Sequence, residues 1–246
     1  MESGAGNEYI ADPVSAYDKI APVFGNLAVQ RKAYLAAIDA LIIHAIPPNS
    51  VSLLDVGAGD GARARNIAAA AGVSRLTLLE PSDAMRGTAP APGQVWAIRA
   101  ESLHLKNAET FHVITCLWNV LGHIFPAAAR LEVLRQCARL VAPQGRIFID
   151  VNHRYNARHY GFAATALRML RDRLSPGENN GDVKVTWPLA GAHCSTAGHV
   201  FTHTEFASLC RAAGLIIERR VVVDYASGKQ RHRSLGGHLL YELRPA

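Results

Sequence analysis

The sequence predicts an α/β protein: a doubly wound, mostly parallel seven-stranded sheet with a lid insertion after the fifth strand. Three observations carry this. Between residues 51 and 151, strand and helix patterns alternate five times, which calls for a parallel sheet covered by helices on both faces. Two further apolar strands follow near the C-terminus, at 216–223 and 237–243, joined by a basic loop. The stretch 153–203 interrupts the alternation and forms the insertion.

The elements follow in order. Residues 31–46 place Leu35, Ile38, Leu41 and Ile42 at helical spacing, and Pro47-Pro48 ends that helix. Residues 51–56 read as a buried strand, closed by a glycine-rich turn, and the alanine-rich 62–71 as a helix. Strands are expected at 76–80, stopped by Pro81, and at 94–99 and 111–117. A helix at 127–141 shows Leu131, Leu134, Ala138 and Val141 on one face, and Pro143-Gln-Gly145 turns it into a fifth strand at 146–151. The insertion holds a helical piece at 163–174 and a β segment at 182–187. Thr202-His-Thr-Glu205 is a capping box opening a helix that Gly214 stops.

Composition narrows the function. The 246 residues suffice for one sizeable core and are few for two, so one domain over 1–246 is expected. No apolar run approaches the roughly 20 residues that span a bilayer. Met1–Asp12 lacks the pattern of a secretion signal. A cytoplasmic protein without membrane contact is the expectation. Cys116, Cys137, Cys194 and Cys210 form no CxxC pair and sit in apolar stretches, which reads as buried free thiols and no metal site. The net charge of +6 comes from scattered arginines, without an RNA-binding signature, and reads as a solvated basic surface.

The chemistry is concentrated in Leu54-Asp-Val-Gly-Ala-Gly-Asp-Gly-Ala62, where a strand ends, glycines turn and a helix begins. Gly57, Gly59 and Ala62 satisfy the dinucleotide pattern G-x-G-x-x-G/A, so NAD is a competitor. Asp55 argues the other way. A carboxylate at the strand end suits a ligand carrying an ammonium and sits awkwardly beside a pyrophosphate, which wants helix-terminal amides.

This segment resembles the first motif of the class I S-adenosylmethionine (SAM)-dependent methyltransferases, (E/D)-x-G-x-G-x-G, complete here as Asp55-Val-Gly57-Ala-Gly59-Asp-Gly61. The resemblance runs from about Tyr17 to Leu243 and implies the Rossmann-like methyltransferase fold with SAM as cofactor. It implies that Asp55, Gly57, Ala58 and Gly59 flank the methionine part, and that Glu80, beside Pro81, holds the ribose hydroxyls. Met85 would pack on adenine, Glu101 and Ser102 would read its edge, and Leu117 and Trp118 would line the pocket.

Methyl transfer from a sulfonium needs mainly positioning, and a base only if the nucleophile must lose a proton. His123 and His153 follow strand ends and are the candidates for that base. Tyr17-Asp-Lys-Ile-Ala-Pro-Val-Phe24 is similar to the entry segment of many small-molecule methyltransferases, so residues 1–30 are expected to form a lid with Tyr17 and Phe24 over the pocket. Asn152-His153-Arg154 is similar to the D-H-R segment of glycine and sarcosine N-methyltransferases, with asparagine replacing aspartate. Arg154 is thus a candidate anchor for a polar acceptor, beside Asn119, Tyr155 and Tyr160. The insertion 153–203, which also carries Phe162, Trp187 and His193, is expected to cap the acceptor pocket. The expected function is methyl transfer to an N, O or C atom of a small molecule in specialised metabolism, by a homodimer. An RNA methyltransferase and a SAM-binding protein without catalysis are the alternatives. Against RNA, the fourth strand runs into Trp118-Asn-Val-Leu rather than N-P-P-(Y/F).

Overall fold

The computed structural model describes residues 11–87, 93–106, 109–189 and 192–246. The expected N-terminal lid is therefore described from residue 11, and its first ten residues lie outside. Asp12 caps helix α1 (Pro13–Gln30) by accepting from the amides of Val14 and Ser15, and Pro13 takes the first-turn position where no N–H is needed. Helix α2 (Lys32–Ala45) follows and stops before the two prolines. Then come β1 (Ser52–Val56), α3 (Ala62–Ala70), β2 (Arg75–Leu79), the short α4 (Asp83–Gly87) and β3 (Gln94–Trp96). Next are β4 (Phe111–Cys116), α5 (Ala127–Leu140) and β5 (Val141–Val151). The insertion supplies α6 (Ala157–Tyr160), α7 (Phe162–Leu174), β6 (Asp182–Leu189) and β7 (Ala192–His199). The chain closes with α8 (His203–Ala212), β8 (Leu215–Val223), the two-residue β9 (Gln230–Arg231) and β10 (His238–Pro245).

The main sheet has eight strands in the order β3-β2-β1-β4-β5-β10-β8-β9. Seven are those expected, and the eighth is β9, an edge pairing of Gln230 and Arg231 with Val223 and Val222 inside the basic loop. β1 to β5 run parallel, and β10 inserts antiparallel between β5 and β8. Strand order reverses between β1 and β4, which opens a crevice at the C-terminal ends of those strands. Neighbouring residues of one strand face opposite cores, as the strand period requires. Leu53, Val113, Phe148 and Leu240 meet Tyr34, Ile38, Ile42 and Ile67 of α2 and α3. Leu54, Ile114, Ile149 and Leu239 meet Val133, Leu134, Phe206 and Cys210 of α5 and α8. Burial on both faces is why these strands read as continuous apolar runs.

Two boundaries differ from the expectation. β3 stops at Trp96 and the chain enters a 3-10 turn at Ala100–Leu105. β5 begins at Val141, because Pro143-Gln-Gly145 is absorbed as an irregularity in the pairing with β4 instead of standing as a free turn. The β segment of the insertion is one arm of a hairpin, β6–β7, separate from the main sheet. α1 packs on this hairpin through Ala16 and Ile20 against Cys194, with Trp187 and Leu189 beside them. The four cysteines are free and buried. The capping box forms as expected: the Thr202 hydroxyl accepts from the Glu205 amide and the Glu205 carboxylate from the Thr202 amide.

Candidate cofactor and acceptor site

The turn after β1 is held from below. The amides of Gly57 and Ala58 both donate to the Leu79 carbonyl, at 2.8 and 3.0 Å, so the glycine loop is fastened to the end of β2. Gly57 has φ +74°, and a Cβ there would lie 2.5 Å from Cγ1 of Val120. The position therefore demands glycine for backbone conformation and for space. The Gly59 amide donates to Glu80 Oε2 and the Ser82 amide to Oε1, each at 2.8 Å. Each Glu80 oxygen keeps a second acceptor position, and burial raises the carboxyl's pKa against the pull of these amides.

Around this loop lies an open cleft of about 760 Å³, solvent at its mouth included. Of the residues expected to hold cofactor, Gly57, Gly59, Glu80, Pro81, Met85, Glu101, Leu117 and Trp118 line it. Asp55, Ala58 and Ser102 do not. Asp55 lies behind the turn, 5% exposed, accepts a hydrogen bond of 2.6 Å from the Thr115 hydroxyl, and is pushed by burial to a pKa of about 7.

α1 crosses the cleft. Asp18 fixes it there by accepting from the Ser82 hydroxyl at 2.6 Å and the Ala84 amide at 3.2 Å. This helix brings Tyr17 and Phe24 onto the crevice: Phe24 lies 5.4 Å from the Trp118 ring, and Tyr17 lies 5.6 Å from His123 and 5.4 Å from Trp187. Beyond these rings is a second cleft of about 910 Å³, bounded by α1, the β6–β7 hairpin and the ends of β4 and β5. Tyr17, Phe24, Trp118 and His123 line both clefts. The second is completed by Trp187 and by Gln30, Arg31, Asn152, Thr186 and Tyr225, the last five not singled out as site residues from sequence. Trp187 carried a signal, as an aromatic of the insertion, but Arg31 and Tyr225 are brought in from the two ends of the chain.

His123 Nδ1 lies 3.1 Å from the Ala197 carbonyl of β7. A carbonyl only accepts, so Nδ1 carries the proton and Nε2 keeps the lone pair. Burial depresses the pKa of this ring, which holds it neutral. Asn119 also lines the second cleft, yet its side chain is committed: Oδ1 accepts from the Asn152 amide at 2.9 Å and Nδ2 donates to the His199 carbonyl at 3.1 Å. Trp118 and Asn119 both adopt left-handed backbone, φ 58° and 61°. They are held so by Asp150, whose carboxylate accepts from the Trp118 amide and from the Tyr34 hydroxyl.

Four expected residues lie elsewhere, and their roles are corrected. Arg154 is buried and donates to Asp172 at 3.0 Å, Glu205 at 2.6 Å and the Val200 carbonyl at 3.1 Å. It ties α7 and α8 together beside a groove remote from the glycine loop, with no guanidinium face left for an acceptor in either cleft. Tyr155 donates to the same Asp172 at 2.7 Å. Tyr160 packs under the Arg168 guanidinium at 4.2 Å and lines neither cleft. His153 is buried, its amide bonded to His238, with its pKa pushed down by burial to about 4, and it too lines neither cleft.

A reversed-order α/β sheet whose last strand inserts antiparallel between β5 and β8, and a glycine cradle facing a buried acid at the next strand end, define a class I SAM-dependent methyltransferase. The chain belongs to the methyltransferase-domain family, which it matches over residues 28–219. It is 31% identical over 133 residues to a ubiquinone biosynthesis O-methyltransferase of Ralstonia nicotianae, covering 52% of this chain; it spans about half, 54%, of that relative's length. Among solved structures it is similar to an S-adenosylmethionine-dependent methyltransferase from Clostridium acetobutylicum, with TM-score 0.64 and 14% identity over 94% of this chain and 99% of that one. The 1,6-didemethyltoxoflavin-N1-methyltransferase of Burkholderia thailandensis gives TM-score 0.62 and 18% identity over 95% and 87%. An amino pentose methyltransferase from Micromonospora echinaspora gives 0.59 and 17% over 91% and 97%. At these identities the structures share the fold.

Proposed function

We propose that this protein transfers the methyl group of SAM to a small molecule in the second cleft, with His123 as the base. The observation that carries the reading is the meeting of the two clefts at one wall, formed by Tyr17, Phe24, Trp118 and His123. The first cleft fits SAM by its chemistry. Gly57 leaves no room for a Cβ and Gly59 holds a left-handed φ of +59°, Glu80 keeps acceptor positions for a vicinal diol, and Met85 offers an apolar face for adenine with Glu101 at the edge. Asp55 lies behind the turn, and the ligand's ammonium favours its ionised form. SAM supplies a methyl already activated on a sulfonium. The chain's part is to orient the acceptor, exclude water beneath α1 and take up a proton at His123 Nε2. The aromatic lining of the second cleft and relatives whose names specify small acceptors support a small-molecule substrate and a place in specialised metabolism. No helix among the described residues is long and apolar enough to cross a membrane.

The test is a titration of the purified protein with SAM, S-adenosylhomocysteine and NAD(H), followed by turnover of His123→Gln. SAM and its product bind and NAD(H) does not. The variant keeps SAM affinity and loses about 10²–10⁴ in kcat. The wild-type acid limb lies below the ordinary histidine range and is absent in the variant. Binding of NAD(H) alone, or an unchanged kcat, refutes the reading.

A further inference from the structure

The acceptor cleft carries a charge signature that narrows its occupant. No Asp or Glu side chain lines it among the described residues. Its one permanent cation is Arg31, at the C-terminal end of α1, half-buried, with the guanidinium 4.5 Å from the Tyr225 ring centroid. This guanidinium makes no hydrogen bond or ion pair to a side chain among the described residues. Asp224, next to Tyr225, is already taken by Arg158 at 2.6 Å and Arg231 at 3.0 Å. The Tyr225 hydroxyl accepts from Trp118 Nε1 at 3.3 Å and so keeps its own proton to donate. The side-chain amides of Gln30 and Asn152 add donors at this cleft. Trp118 and Trp187 form flat walls, and His123 stands where the acceptor cleft meets the cofactor cleft.

We propose that the acceptor is a planar aryl or enol hydroxyl compound carrying an anionic group, a carboxylate or its equivalent, bound by Arg31 and Tyr225. The proposal rests on the methyltransferase reading above and names its substrate class. A guanidinium without a partner is the side chain best shaped for a carboxylate. Aromatic walls alone would also suit a cation, but Arg31 already occupies a face of Tyr225 and repels a second positive charge. A basic amine finds no carboxylate in this cleft. An acidic hydroxyl matches the neutral His123, whose Nε2 takes its proton. The oxygen lone pair forms the O–CH₃ bond while the S–CH₃ bond breaks with its pair left on sulfur. The sulfonium charge is thereby discharged and the proton leaves through His123 to solvent.

The experiment is calorimetric titration of 4-hydroxybenzoate, phenol and tyramine, each with S-adenosylhomocysteine present, on the wild type, Arg31→Gln and Arg31→Lys. The wild type binds 4-hydroxybenzoate at least about tenfold more tightly than phenol, and tyramine most weakly. Arg31→Gln abolishes the preference for 4-hydroxybenzoate and leaves phenol within about twofold, and Arg31→Lys restores part of it as a point charge. Tyramine binding best, an order unchanged in Arg31→Gln, or no binding by any of the three while S-adenosylhomocysteine binds, overturns the proposal and leaves the cofactor reading intact. Failure of S-adenosylhomocysteine itself to bind overturns the methyltransferase reading instead.

Discussion

Replacing Gly57 by alanine separates two demands that the glycine loop makes at one position. The backbone is left-handed at φ +74°, and the added Cβ would stand 2.5 and 2.6 Å from the two methyls of Val120. The left-handed conformation costs a non-glycine residue about 1–2 kcal/mol. Overpacking against a held neighbour costs about 1–3 kcal/mol more. Together they destabilise by about 2–5 kcal/mol, a fall in Tm of roughly 4–20 °C for a chain this long. The three nearest atoms all belong to Val120, so Val120→Ala in the same chain should recover most of the second part and leave the first. The assay is a double-mutant cycle by chemical denaturation, with S-adenosylhomocysteine affinity measured alongside. The expected coupling is about 1–3 kcal/mol, and Gly57→Ala alone weakens the ligand by about tenfold or more. A coupling near zero would refute the steric reasoning. Unchanged ligand affinity would remove the loop from the site.

Two further substitutions test the buried charges. Asp55 holds a pKa of about 7 when folded, against about 3.9 unfolded. The folded state therefore binds the extra proton between about pH 4 and 7, and this residue's contribution to stability falls as pH rises through that window. Asp55→Asn removes the penalty: its stability relative to wild type climbs across the same window, by at most about 4 kcal/mol, while SAM binding weakens. A pH-independent difference in denaturation midpoint would contradict the assignment. Arg154→Met leaves Asp172 and Glu205 without their shared cation, at a cost of about 3–5 kcal/mol, while acceptor KM stays unchanged. A raised KM with intact stability would return Arg154 to the acceptor site.

What was legible in the sequence shares a physical origin. The strands are short apolar runs, the glycines stand at one strand end, and Glu80 ends the next strand, so the placement of these acids and turns follows from local pattern and parallel topology alone. Tyr17 and Phe24 were legible through the resemblance of their segment to an entry motif, and seven residues apart they fall on one face of α1. Arg154 was misread because its motif is local while its partners are not: Asp172 and Glu205 are 18 and 51 residues away. Sequence offers no sign that a guanidinium after a strand will find two carboxylates in an insertion and a following helix.

By itself, then, the sequence determined the sheet, the glycine cradle and the acids of the cofactor cleft, because each depends on residues within one strand–turn–helix unit. Only the tertiary structure decided the second cleft, the proposed acceptor site. Arg31 ends the first helix, Trp187 belongs to a hairpin of the insertion, and Tyr225 follows a strand near the C-terminus. Their meeting depends on α1 folding onto the β6–β7 hairpin and on β10 inserting between β5 and β8. Those are packing outcomes between distant segments, and no periodicity within either segment encodes them.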